Sequence, residues 1–194
     1  VTEAPRITAA LVDFCLHVAD HTEVRLLRAQ DADSLYDVTI RNREWLSAWM
    51  SWMDRVIDVS DTYAFLRAAE KEAYEHTAFK GGIWRHGNLI GCIDLHQIDW
   101  VNGNARIGYW IDKEHTGRGI ITRAVHLLTE YAFEALDLHR IEIHVATENR
   151  ASRRVPERLG FNLEGVLRHV QRLRGKYYDH ALYALLRDDE AARA

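Results

Sequence analysis

The spacing of hydrophobic residues changes period several times along the chain, and each change marks an element. Val12 to Val18 and Glu23 to Leu27 read as short strands around a turn-like Asp20-His21. Asp31 is placed to cap a helix running through Asn42. Trp45, Trp49 and Trp52 follow at i, i+4, i+7, which puts three indoles on one helical face. Such a face packs a core, walls a substrate cleft or makes a homodimer contact. Ser60 opens a capped amphipathic helix to about His76. The period then shortens. Ala78 to Arg85, Leu89 to Ile98 and Ala105 to Ile111 read as three strands joined by His86-Gly87-Asn88 and Asn102-Gly103-Asn104, an antiparallel meander.

A long helix is expected from about Gly119 to Leu136, its apolar stripe formed by Ile121, Ala124, Val125, Leu128, Ala132 and Ala135. Ile141, Ile143 and Val145 alternate with Glu142, His144 and Ala146, so that segment is a strand. Asn149 caps a short helix ending at Leu159, with Gly160 as its stop. Phe161 to Val170 and Tyr177 to Leu186 are the last strands, and the polar tail from Arg187 should fray. Early helices, a meander, then strand–helix–strand–helix–strand–strand make an α+β fold.

Composition narrows the class. The chain has 194 residues, 47% hydrophobic and 28% charged, enough for one domain over 1–194 with a real core. A formal net charge of -4 argues against general nucleic-acid binding. Cys15 and Cys92 are too few and too far apart for a disulfide framework or a Cys-rich zinc site. No apolar run has the length of a membrane span, and Val1 to Phe14 lacks the pattern of a signal peptide. Cytoplasm is the expected compartment, and neither a membrane partner nor a metal is expected.

The chemistry concentrates where the meander's last strand meets the long helix. Asp112-Lys113-Glu114-His115-Thr116 leads into Gly117-Arg118-Gly119-Ile120. Glycines two apart at a strand-to-helix turn let backbone approach a ligand. The helix N-terminus beyond supplies unpaired N–H groups and the positive dipole end that suit a phosphate. The same spacing also serves a plain tight turn. The GxxxxGK[ST] nucleotide loop is excluded because no Lys-Ser/Thr follows.

Glu114 to Ile120, Ala146-Thr147-Glu148-Asn149-Arg150-Ala151-Ser152 and Leu159-Gly160-Phe161 together resemble the acetyl-CoA motifs of the GNAT N-acetyltransferase superfamily. Ile107-Gly108-Tyr109-Trp110, Pro156-Glu157-Arg158, Glu164-Gly165-Val166-Leu167-Arg168, Tyr177-Tyr178-Asp179-His180 and Asn42-Arg43 narrow it. They resemble the Rim-type ribosomal-protein N-terminal acetyltransferases, over about residues 12 to 187. The resemblance implies a twisted mixed sheet, mostly antiparallel and flanked by helices. It is split in a V between the strand ending near Ile111 and the strand Arg140 to Ala146. Acetyl-CoA would occupy the split, its pyrophosphate on the amides of His115, Thr116, Gly117, Arg118, Gly119 and Ile120, with Asn149 and Ser152 nearby. The amine acceptor would arrive from the other side, bordered by Asn42, Arg43 and Trp49.

Three positions depart from the resembling family. Pro156 stands where many superfamily members carry a tyrosine that protonates the CoA thiolate. In Rim-type members the serine three residues after the asparagine is thought to serve instead, here Ser152. Pro156 also leaves the Ser152 carbonyl without its helical N–H partner. Arg106 and Gln171 stand where close relatives usually carry glutamates, so the group that takes the amine proton is open. Glu142 and His144 are the first candidates, with Asp94, His169 and His180 behind them. An α-amine, with a pKa near 7.7–8.0, needs such a base less than a lysine does. Arg150, Arg153, Arg154 and Arg158 form either a solvated helix face or a contact for CoA phosphates or an acidic protein. The expected activity is acetyl transfer from acetyl-CoA to a protein N-terminal α-amine in a ternary complex. The alternatives are a small-molecule amine acceptor (antibiotic, toxin or polyamine) and a non-catalytic acetyl-CoA-binding regulator.

Overall fold

The computed structural model describes residues 14–19 and 21–191. Eight strands form one sheet in the order β1-β2-β3-β4-β5-β6-β8-β7. They are β1 (Cys15–Ala19), β2 (Thr22–Leu26), β3 (Phe79–Arg85), β4 (Asn88–Asp99), β5 (Asn104–Ile111), β6 (Arg140–Ala146), β7 (Asn162–Leu173) and β8 (Lys176–Leu186). Every neighbouring pair is antiparallel except β5 and β6, which are parallel. A parallel pair needs a crossover, and α4 (Ile120–Glu134) supplies it. The expected start of the first strand at Val12 lies outside the described residues, as does Asp20.

Alternation along the strands sorts the two faces. Ile141, Ile143 and Val145 of β6 point under α4 and join Ala124, Val125, Leu128 and Ala132 in the main core. The opposite face carries Cys92, Asp94, His96, Arg106, Gly108, Glu142 and His144. Part of it is covered by α1 (Ala32–Arg41) and α3 (Val59–Tyr74), which share a second core of Leu35, Val38, Leu66, Trp84 and Leu89.

The register between β5 and β6 positions the site. Pairing runs from Asn104↔Arg140 through Ala105↔Ile141 to Arg106↔Glu142 and stops. Beyond it β5 continues to Ile111 and β6 to Ala146 without bonding each other. The expected V-shaped split is therefore present.

Several local expectations shift. The tryptophan segment is not one helix. α2 covers only Arg43–Ser47, Met50 is extended, and a 3-10 turn spans Ser51–Arg55, so the three indoles share no continuous helical face. α3 starts one residue before the expected Ser60 and is capped by Asp58, whose carboxylate accepts from Ser60 N at 2.7 Å. β7 runs on to Leu173. The chain beyond β8 does not simply fray: a short helix α6 (Arg187–Ala191) forms, and Arg187 donates to Asp137 at 2.8 Å and to the Phe133 carbonyl.

Candidate active site

The strand-to-helix turn after β5 presents unpaired donors. Gly117 and Gly119 have φ of +74° and +73°, the left-handed region that glycine enters without strain. His115 N donates to Asp112 O at 2.9 Å and Thr116 N to Lys113 O at 3.3 Å, so those two amides are spent within the turn. This narrows the expected anion-binding set. The amides of residues 117–122 have no acceptor among the described residues, and they sit at the N-terminus of α4. The turn is clamped from outside. Arg41 bonds the buried Asp112 at 2.7 and 2.9 Å, and Asn42 Oδ1 accepts from Lys113 N at 3.0 Å. Burial pushes the Asp112 carboxyl up, but bonds from Arg41 and the Glu114 amide outweigh it and hold it below the usual carboxylate range. Burial pulls the His115 imidazole down, with the Asp112 charge opposing.

The turn faces α5 (Arg150–Arg158) across a groove of about 290 Å³. Asn149 Oδ1 caps α5 by accepting from Ser152 N at 3.1 Å, as its position in the chain implies. The groove opens into a cavity of about 660 Å³ on the α1–α3 face of the sheet. Six residues line both spaces: Trp49, Met50, Tyr109, Trp110, Asn149 and Ser152. Ser152 thus stands where groove and cavity meet. Its Oγ donates to the Tyr109 hydroxyl at 3.2 Å, and Tyr109 donates to the Ser152 carbonyl at 2.9 Å. That carbonyl is the one Pro156 leaves without an amide.

Two polar networks floor the cavity. On β6, Glu142 accepts from Arg140 at 2.9 Å, from Arg106 at 3.1 Å and from His144 Nε2 at 2.9 Å. Burial pushes Glu142 up, yet the bonds from Arg140 and His144 win and keep it ionised below its ordinary value. Burial pulls His144 down, only partly offset by its bond to Glu142. His144 is therefore neutral near pH 7, with Nε2–H given to Glu142 and Nδ1 left as the basic atom. On β4, Asp94 accepts from Lys80 and Gly108 N, each at 3.0 Å, and pairs with His96 Nδ1 at 2.7 Å. A Cβ on Gly108 would lie 2.7 Å from Asp94 Oδ1, so this position needs glycine. His180 Nε2 donates to Gln171 Oε1 at 3.0 Å, and Gln171 donates to the Trp49 carbonyl at 3.0 Å. Burial, then the repulsion from His144 when both imidazoles are protonated, pulls His180 down.

Comparison with known proteins bears directly on this arrangement. A family model described as "Acetyltransferase (GNAT) domain" matches residues 21–162. The chain is 38% identical over 176 residues to the "Putative ribosomal N-acetyltransferase YdaF" of Bacillus subtilis (strain 168), covering 90% of this chain and 96% of that protein. The chain belongs to the GNAT acetyltransferases. This acetyltransferase is also 30% identical over 175 residues to the "Ribosomal-protein-serine acetyltransferase" of Escherichia coli (strain K12), covering 90% and 98% of the two chains. Among solved structures, the microcin C7 self immunity acetyltransferase MccE in complex with acetyl-CoA and AMP superposes with a TM-score of 0.85. It is 27% identical, with 92% of this chain and 99% of that one covered.

The acetyltransferase brings some anticipated residues together and diverts others. Ser152, His144, Asn149 and Trp49 line the cavity, and His115 through Ile120 line the groove with Asn149 and Ser152. None of the three indoles is buried: Trp45 lines the groove, Trp49 the junction, and Trp52 the cavity, 6.3 Å from Trp110. Asn42 and Arg43 line neither space. Asn42 is buried and donates to the Val38 carbonyl at 2.9 Å, and Arg43 bonds the Met53 and Val56 carbonyls, so both build the wall that carries the tryptophans. His169 lies on the exposed final hairpin, stacked on Tyr177. Arg153 is tied to Tyr183 at 2.8 Å, while Arg154 and Arg158 line the groove without an ion-pair partner among the described residues. Tyr109, Arg41 and Asp112 gain roles that chain spacing alone does not reveal. No group of metal-ligating side chains occurs among the described residues, and no helix of them is long and apolar enough to cross a membrane.

Proposed function

We propose that this enzyme transfers the acetyl group of acetyl-CoA directly to the α-amine of a protein N-terminus, in the manner of the ribosomal-protein acetyltransferases. One observation carries the reading. A groove edged by six unpaired amides meets an acceptor cavity at a serine hydroxyl, through a split that continuous strand pairing would have closed. MccE, with acetyl-CoA in its structure, and the ribosomal relatives support the same assignment.

The unpaired amides hold the pyrophosphate by charge-assisted hydrogen bonds. The amine enters from the cavity and its nitrogen lone pair attacks the thioester carbonyl. The C–S bond breaks, sulfur leaves with its electron pair, and Ser152 Oγ–H stabilises it at the α5 N-terminus. His144 Nδ1 takes the amine proton, directly or through water, and the ionised Glu142 steadies the imidazolium. Glu142 acts through His144: bound to two arginines and held below its ordinary pKa, it is a weak base itself.

The cavity favours an amine with little extra positive charge. Asp94 is neutralised by Lys80, and Asp61 accepts from the Ile57 and Asp58 amides. Asp61 keeps its charge, so the cavity offers one carboxylate without a cation partner among the described residues to the several remaining ammonium groups of a polyamine, whereas aromatic walls at Trp52, Phe65 and Trp110 suit a side chain beside an α-amine. The reaction belongs in the cytoplasm, with the ribosomal N-termini. The test is release of free CoA thiol across peptides with ribosomal N-termini, spermidine and small aromatic amines. Peptides should win by kcat/KM. Preference for spermidine overturns the acceptor assignment, and no release with any amine overturns catalysis in favour of a binding regulator.

A further inference from the structure

Pro156 has a consequence across the split. The carbonyl of residue i in a helix accepts from the amide of i+4, and proline has none. Ser152 O is therefore open, and the hydroxyl that fills it comes from β5: Tyr109 donates to it at 2.9 Å. A phenol has one proton. With that proton committed to the carbonyl, the Tyr109 oxygen faces Ser152 Oγ only as an acceptor, at 3.2 Å. Tyr109 is partly buried, and burial raises its pKa, so it stays neutral and keeps this polarity. The Tyr183 hydroxyl does not compete for the Tyr109 proton, since it gives its own proton to Glu157 at 2.7 Å and accepts from Arg153 at 2.8 Å.

We propose that Tyr109 is the positioning residue for Ser152. Its hydroxyl, delivered from the strand, occupies the station that Pro156 empties on the helix. It fixes Ser152 on both sides: the carbonyl is pinned, and the side-chain proton is parked on a neutral oxygen. As sulfur departs with the C–S electron pair, the Ser152 O–H turns from that neutral acceptor to the anion, which binds it more strongly. No bond to Tyr109 forms or breaks. Pro156 contributes by what it lacks, because an N–H at 156 would take the carbonyl and free the tyrosine proton to point elsewhere.

This rests on acetyl transfer at the groove–cavity junction but not on the identity of the acceptor. The experiment measures kcat by CoA thiol release with whichever amine the wild type uses best, and acetyl-CoA Kd by calorimetry. Tyr109→Phe is made in the wild type, in Ser152→Ala and in Pro156→Ala. In the wild type it should lower kcat roughly 10- to 100-fold, the scale of misplacing one donor, with Kd changed less than about 3-fold. In Ser152→Ala the same change should cost less than about 3-fold, because no hydroxyl remains to position. In Pro156→Ala, where the carbonyl regains an amide and the tyrosine proton is freed, the cost should shrink to less than about 3-fold. Three results overturn the proposal: an unchanged kcat for Tyr109→Phe, an equal loss without Ser152, or a loss undiminished in Pro156→Ala. The second would make Tyr109 only a carbonyl cap. A preference for small amines over peptides refutes the acceptor assignment and leaves this test intact.

Discussion

Replacing Gly119 by valine isolates the anion-binding role of the turn from its folding role. Gly119 has φ of +73°, and a Cβ there meets only the flexible end of Arg123, 3.1 Å from Nη1. Steric crowding is therefore cheap, and backbone strain dominates. A side chain held in the left-handed region costs roughly 1–3 kcal/mol. For a chain of this size each kcal/mol moves Tm by about 2–4 °C, so a fall of roughly 2–12 °C is expected. The protein relieves that strain by swinging φ negative, which turns the N–H groups at the start of α4 away from their common focus. Losing one charge-assisted bond to a phosphate costs about 1.5–3 kcal/mol, or roughly 10- to 100-fold in CoA Kd. Gly87→Val is the matched control. Gly87 has φ of +77° in the β3–β4 turn, a Cβ there meets nothing within 4 Å, and the residue lines neither groove nor cavity. It should lose similar stability at unchanged affinity. Calorimetry with CoA on both variants, below their melting temperatures, decides. A folded Gly119→Val that binds CoA as the wild type does, or a Gly87→Val that loses as much affinity, refutes the reasoning.

His144→Asn should lower kcat/KM at pH 7 by about 100-fold, the low end for a general base. The deficit should shrink as pH rises through the α-amine pKa of about 7.7–8.0, because a neutral amine needs no base. A deficit constant from about pH 6 to 9 removes His144 from the proton path. Stability should fall on acidification in two stages, read as Tm against pH. His115, His144 and His180 have depressed pKa values, so the unfolded chain binds more protons and stability drains as pH falls below about 6.5. Asp94, Asp112 and Glu142 are also depressed, so their contribution is complete above about pH 4 and is lost as pH falls through their folded values. A Tm flat between about pH 7 and 5 contradicts the histidine assignments.

What the sequence determined by itself is local. The alternation in β3 through β6, the stripe of α4, the Asn149 cap and the paired glycines depend on residues a few positions apart, and those neighbours enforce them wherever the chain goes. Glu142 and His144 were legible as one face of one strand for the same reason. The tryptophan segment shows the limit: its spacing suits a helix, but Arg43 draws the Met53 and Val56 carbonyls inward and breaks it into two turns. Only the tertiary structure decided what faces what across the split. Tyr109 meets Ser152 from 43 residues away and Arg41 meets Asp112 from 71 away. Arg106, standing where a carboxylate was expected, finds one on the adjacent strand in Glu142. The contacts of Tyr109 with Ser152 and of Arg106 with Glu142 follow from the register at which β5 and β6 pair and then part, and that register is set by burying both strands against α4. No local period encodes it, because the partners are chosen by the packing of the whole sheet.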